Sequence, residues 1–158
     1  MTARTGLLDP AVGKAMSALS AAAKRGLGDP ALAELVVIRA SQLNHCAFCL
    51  DMHLALARGH GVAEKQLDLL AAWEEAGDGV FDERERAALA LTEAVTVLTG
   101  GTSRTKSGGG FVPDEVYAAA AAHFDQLQLA HLIGLLVAIN NWNRVMVSRR
   151  IPAGGYTP

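Results

Sequence analysis

Alanine and leucine dominate this chain, and residues that favour strands are scarce. Alanine supplies 29 of the 158 residues and leucine 21, whereas valine and isoleucine together supply 16. Alanine and leucine lose little conformational freedom in a helix, while strands draw on β-branched and aromatic side chains. The expected fold is therefore all-α. A chain that is 51% hydrophobic and 19% charged is not disordered, and its length suits one domain, 1–158, around one core. The 14 basic and 16 acidic residues nearly cancel, leaving −2. That balance offers neither a broad basic face for nucleic acid nor a polybasic anchor for a membrane surface.

Helix signals recur along the chain. Asp9-Pro10 and Asp29-Pro30 each pair an N-cap residue with a proline at the first helical position, predicting helices over about 10–25, ending at Gly26 and Gly28, and from 30 to a break at Asn44. A third helix carries Cys46, Cys49 and His53 and closes at Gly59-His60-Gly61, with His60 as its C-terminal cap. A fourth is expected over about 63–76, stopping at Gly77. Asp82 with Glu85, and Asp125 with Gln128, form capping boxes for helices over 83–98 and from 126 to about 149. Pro113 opens a short helix over 114–124. Residues 99–110 are polar, glycine-rich and basic, and read as a mobile loop with Arg104 and Lys106 in solvent. The last helix is apolar around most of its circumference, so it belongs at the centre of a bundle or in a subunit interface.

The start of the chain shows no apolar signal segment. The longest apolar run, 127–139, is broken by Gln128 and His131 and falls short of the roughly 18–20 residues a membrane span needs. A cytoplasmic protein is expected. Two cysteines do not make a disulfide scaffold. Their spacing, Cys46 and Cys49, is what needs explaining.

The stretch 34–53 reads ELVVIRASQLNHCAFCLDMH. Cys46, Cys49 and His53 fall at i, i+3 and i+7, one stripe of a helix. The unpaired N–H groups and dipole of the first turn favour a thiolate at Cys46. Cys49 is expected one turn further in, with His53 four residues beyond to exchange a proton with it. A CxxC pair on a helix can close and reopen a disulfide, storing two electrons. Glu34 lies on the preceding helix among Leu35, Val36 and Ile38. Antiparallel packing would bring it towards the cysteines, where burial is expected to raise its pKa and make it a better general base.

The pattern Glu-x11-Cys-x2-Cys-x3-His resembles the signature of alkylhydroperoxidase D-like proteins in the carboxymuconolactone decarboxylase superfamily. FDERERAALALTEAVT (81–96) resembles the family's following helix, and INNWNRVMVSRRIPAGGY (139–156) its last helix and tail. The resemblance covers about 30–156, with its motif core over about 30–98. It implies an all-α bundle of about six or seven helices, assembled as a trimer or hexamer, that reduces hydroperoxides in antioxidant defence. Cys49 would be the peroxidatic residue, Cys46 the resolving one, and Glu34 and His53 a proton relay. A dithiol, typically a dihydrolipoyl group on a carrier or else a thioredoxin-like protein, would restore the cysteines. No cofactor or metal is implied. The sequence departs from the pattern at Phe48, where well-studied peroxidases of the family carry a second histidine. On a continuous helix His45 would sit about 100° round from Cys46. The helix dipole taken alone favours Cys46 as the attacking thiol. The position of His53 and the family pattern favour Cys49.

Other readings of the same residues compete. A zinc site of Cys46, Cys49 and His53 with His45 or Glu34 is chemically possible, but three ligands on one helix fit a tetrahedral ion poorly. A decarboxylating lyase without thiol chemistry is an alternative, as is a non-catalytic redox sensor whose disulfide switches its oligomeric state. His123 and His131 read as hydrogen-bonded structural residues, and Trp73, Phe124 and Trp142 as packing, with Trp142 also able to line a pocket. Asn141 and Arg144 are candidates for contacts with a neighbouring subunit.

Overall fold

The computed structural model describes residues 2–98, 111–154 and 156. The glycine-rich loop expected over 99–110, with Arg104 and Lys106, lies outside the described residues. Within them are seven α-helices, one 3-10 helix and no strand. Helix α1 spans Pro10–Leu27, α2 Pro30–Leu43, α3 Ala47–Gly59 and α4 Glu64–Leu69. A 3-10 helix follows over Leu70–Glu75, then α5 Glu83–Thr96, α6 Asp114–Ala121 and α7 Gln126–Arg149.

The helix starts follow the local chemistry of the sequence. Asp9 accepts from the Ala11 and Val12 amides, and Asp29 from the Leu32 amide at 3.0 Å. Both acidic capping boxes form, Asp82 with Glu85 and Asp125 with Gln128. The ends are less local. Helix α1 continues through Gly26, whose bare Cα lets the His131 ring of α7 pack against it. It stops at Gly28, which takes a left-handed φ of 72°. The helix expected over 63–76 is cut short, because Ala72 leaves helical geometry at φ −126° and ψ 36°. Side chains of α5 hold the segment there: Arg86 donates to the carbonyls of Trp73 and Gly77, and the Trp73 indole donates to Glu93. Helix α6 ends at Ala121, three residues early.

Helix α2 is the axis of the molecule. Every residue from 32 to 38 is buried. Ala33, Val36, Val37 and Ala40 pack into the larger apolar cluster with Leu91, Leu132 and Leu136. Leu35 and Ile38 pack into a second cluster with Leu70, Trp73, Phe81 and Leu89. A helix walled in on both sides has no solvent for a charged side chain, so any charge on it must find partners inside the protein. Helix α7 is central, one of the two places its all-round apolar pattern allowed, and packs against α1, α2, α3, α5 and α6. No helix among the described residues is long and apolar enough to cross a membrane.

Candidate functional site

The two cysteines sit where α2 hands over to α3. Helix α2 ends on Asn44, as its sequence suggested, and His45 then adopts a positive φ of 53°. That left-handed residue turns the chain so that Cys46 becomes the N-cap of α3 in an extended conformation, with Cys49 the third residue of the helix. Cys46 is thus outside the helix and Cys49 is in its first turn, one step earlier in register than expected. The Cys49 amide donates to Cys46 Sγ at 3.3 Å, and the two sulfurs are joined in a disulfide across a Cα–Cα distance of 5.3 Å. Both residues are only 1% exposed.

A buried polar network fixes this turn. The Asn44 side chain donates to Asn140 Oδ1 at 3.0 Å and to Asn143 Oδ1 at 2.9 Å. Asn140 donates to Thr96 and to its own helix, and Asn143 donates to Ser41. These bonds tie the end of α2 to the middle of α7. Sequence reasoning gave this role to no residue, although three asparagines within NNWN on an apolar helix were a legible sign of it. Asn141 and Arg144 were expected to face a neighbouring subunit. Both are exposed, and within its own helix Arg144 donates back to Asn140.

Glu34 lies opposite, on the enclosed axis, and is 1% exposed. One carboxylate oxygen meets Nδ1 of His53 at 2.7 Å, and the other accepts from Nζ of Lys24 on α1. Antiparallel packing of α2 and α3 therefore delivers Glu34 to His53 rather than to the cysteines directly. Burial alone would push the Glu34 carboxyl up. The hydrogen bonds and positive charge of His53 and Lys24 together outweigh it and hold the group below the ordinary glutamate value. The expected rise is thus reversed, because enclosure came with two partners. A carboxylate only accepts, so His53 Nδ1 carries the shared proton and Nε2 is left for exchange. Lys24 was not foreseen: it belongs to no motif and arrives only by packing of α1 against α2.

A cavity of about 620 Å³ opens beside this group. Cys49, Met52 and His53 of α3, Lys24 and Ser20 of α1, and Trp142 of α7 are among its walls. Most of the remaining lining is apolar, and among the described residues no acidic one faces it. Cys46 does not. It lines a separate cavity of about 260 Å³ with His45, Arg150 and Ile151, and Phe48 and Met146 border both. His45 is off the α3 helix and lines this smaller cavity, whereas His53 lines the large one. Of the groups considered for zinc, the two sulfurs are joined to each other and Glu34 is bonded to His53 and to Lys24, while His45 lies on the other cavity from His53. Of the other histidines, His60 caps α3, His123 is exposed and His131 packs over Gly26. Trp73 and Phe124 are buried in the core, and the Trp142 indole donates to Ser20.

Comparison with known proteins agrees with this architecture. Residues 10–94 match the carboxymuconolactone decarboxylase family. The chain is 37% identical over 115 residues to the uncharacterized protein YdfG of Bacillus subtilis, covering 73% of this chain and 71% of that one. It is 33% identical over 133 residues to the uncharacterized protein YnjA of Escherichia coli, covering 84% and 66%. Among solved structures it is similar to a protein of unknown function from Agrobacterium tumefaciens, provisionally described as the antioxidant defence protein AhpD. That match has a TM-score of 0.84 and 29% identity over 98% of this chain and all of that one. The debrominase Bmp8 shares the fold at a TM-score of 0.73 and 13% identity, over 93% of this chain and 73% of that one. The match to the family profile, the two relatives and the all-helical fold together make this chain a member of the carboxymuconolactone decarboxylase family.

Proposed function

We propose that this protein is a thiol-dependent peroxidase that reduces organic hydroperoxides. The observation that carries the reading is the placement of Cys49 and His53 on one apolar cavity, with Cys46 in disulfide reach and His53 held by a buried carboxylate. In the reduced protein, Cys49 is the nucleophile. It lies in the first turn of α3, where the positive end of the helix favours a thiolate, and it shares its cavity with His53, which Cys46 does not. The thiolate attacks the terminal oxygen of the hydroperoxide, the O–O bond breaks, and the alkoxide takes a proton and leaves as the alcohol. Cys49 becomes a sulfenic acid. The Cys46 thiol then displaces water from it and closes the disulfide. A dithiol returns two electrons and two protons.

Glu34 fixes the tautomer and orientation of His53, and Nε2 of His53 exchanges the proton. Phe48 stands where related peroxidases carry a histidine, so among the described residues His53 is the only histidine on this cavity. The apolar lining favours alkyl hydroperoxides over hydrogen peroxide. The working unit in this reading is a homo-oligomer, trimer or hexamer, consistent with exposed Val12 and Leu19 on α1 and Val137 on α7.

The test is single turnover. Protein prereduced and freed of reductant is mixed with cumene hydroperoxide, and protein thiols and the alcohol product are counted. Loss of two thiols per alcohol formed is expected. No thiol loss and no alcohol would overturn the reading, and a lactone-decarboxylating activity that persists in the Cys46→Ser/Cys49→Ser variant would replace it.

A further inference from the structure

The cysteines of the pair face different cavities. Cys49 lines the large one with His53, and Cys46 lines the smaller one, bordered by the turn before α3 and the end of α7. Phe48 and Met146 form the partition. We propose that the two half-reactions use opposite sides of the disulfide. The hydroperoxide reaches Cys49 through the large cavity, and the reductant, a small dithiol on a flexible arm, reaches Cys46 through the small one. The inference rests on the peroxidase reading and adds to it a separate reductant site.

The small cavity suits that occupant. At about 260 Å³ it admits an alkyl thiol arm but not a folded domain. Val147, Ile151 and Pro152 supply apolar contact for the arm, Arg150 and His45 stand at its rim, and no acidic side chain lines it. The Arg150 guanidinium favours the thiolate, which is the attacking species. The chemistry then runs in one direction. The donor thiolate attacks Cys46 Sγ and the Cys46–Cys49 bond breaks. Cys49 leaves as a thiolate at the start of α3, on the large cavity beside His53, where the next hydroperoxide arrives. The donor's second thiol attacks the donor sulfur of the mixed disulfide, expelling Cys46 as a thiolate that takes up a proton. The donor departs as a cyclic disulfide, oxidised by two electrons, and the protein is reduced by two.

The experiment separates the half-reactions by stopped flow. Val147→Trp fills the small cavity, and Ala21→Trp, on the α1 wall of the large cavity, narrows that one. Reduction of the oxidised protein by dihydrolipoamide is expected to slow by about tenfold or more in Val147→Trp, with peroxide oxidation of the prereduced variant close to wild type. Ala21→Trp is expected to do the reverse. If Val147→Trp leaves reduction unchanged, or both variants slow the same half-reaction, the two-sided scheme is wrong. Circular dichroism establishes that each variant is folded. As a second route, an aryl disulfide reagent is reacted with Cys46 in Cys49→Ser. That labelling is expected to fall on adding Val147→Trp, and undiminished labelling would also overturn the scheme. The reductive arm needs no peroxide. Failure of the peroxidase reading would therefore show separately, as prereduced wild type that no hydroperoxide oxidises.

Discussion

Cys46 and Cys49 are equally buried, so accessibility does not rank them as nucleophiles; position does. Cys46 is an N-cap in extended backbone, while Cys49 is inside the first turn and shares its cavity with His53. The expectation is that Cys46→Ser keeps a stoichiometric burst with peroxide and accumulates a sulfenic acid trapped by dimedone. Cys49→Ser should show neither. A burst in Cys49→Ser would move the attack to Cys46. His45 bears the backbone cost of the turn, since a non-glycine residue at φ 53° is held in a sparsely populated region. His45→Gly is expected to match or exceed wild-type stability, whereas His45→Val should lose about 1–2 kcal/mol, read from urea denaturation.

At the scale of elements, the site depends on joints between helices. The Asn44–Asn140–Asn143 network holds the α2–α3 turn against α7. Removing one member leaves buried polar atoms unpaired, so Asn143→Ala is expected to cost about 1–3 kcal/mol. The α1–α7 joint is tested by a double-mutant cycle. In an exposed helix, glycine to alanine gains roughly 1 kcal/mol. Here a Cβ on Gly26 would overlap the His131 ring, so Gly26→Ala should destabilise wild type and become stabilising in a His131→Ala background. Additive effects in the two backgrounds would mean that the ring does not set the constraint.

For the molecule as a whole, the buried Glu34 carboxylate links the site to stability. Its pKa is lowered on folding, so the unfolded state binds the proton more readily. Its contribution is complete above the ordinary value of 4.5 and is lost as pH falls through the lower folded value. Asp29 behaves alike: burial raises it, but the Leu32 amide and Arg84 prevail and hold it down. Glu34→Gln is expected to cost about 2 kcal/mol at pH 7, and the difference from wild type should shrink below pH 4. Stability curves measured by urea denaturation across this range check the sign. A gap that widened in acid would contradict it.

What the sequence determined by itself was local. Capping aspartates, prolines and the alanine–leucine excess set the helix starts, because each acts on backbone groups within one turn. The pair Cys46 and Cys49, with His53 a turn beyond and Glu34 one helix back, was also legible as a motif, but periodicity puts only Cys49 and His53 on one face of α3, since Cys46 lies outside the helix. Two of the helix ends were not, since Gly26 and Ala72 answer to His131 and Arg86 from distant helices. Tertiary structure alone decided that Glu34 gains a second partner in Lys24, which reverses the direction of its pKa. It also decided that the two sulfurs look into separate cavities. Both outcomes depend on how α1 and α7 pack against the α2–α3 pair, and residues far apart in the chain meet there without leaving a periodic trace.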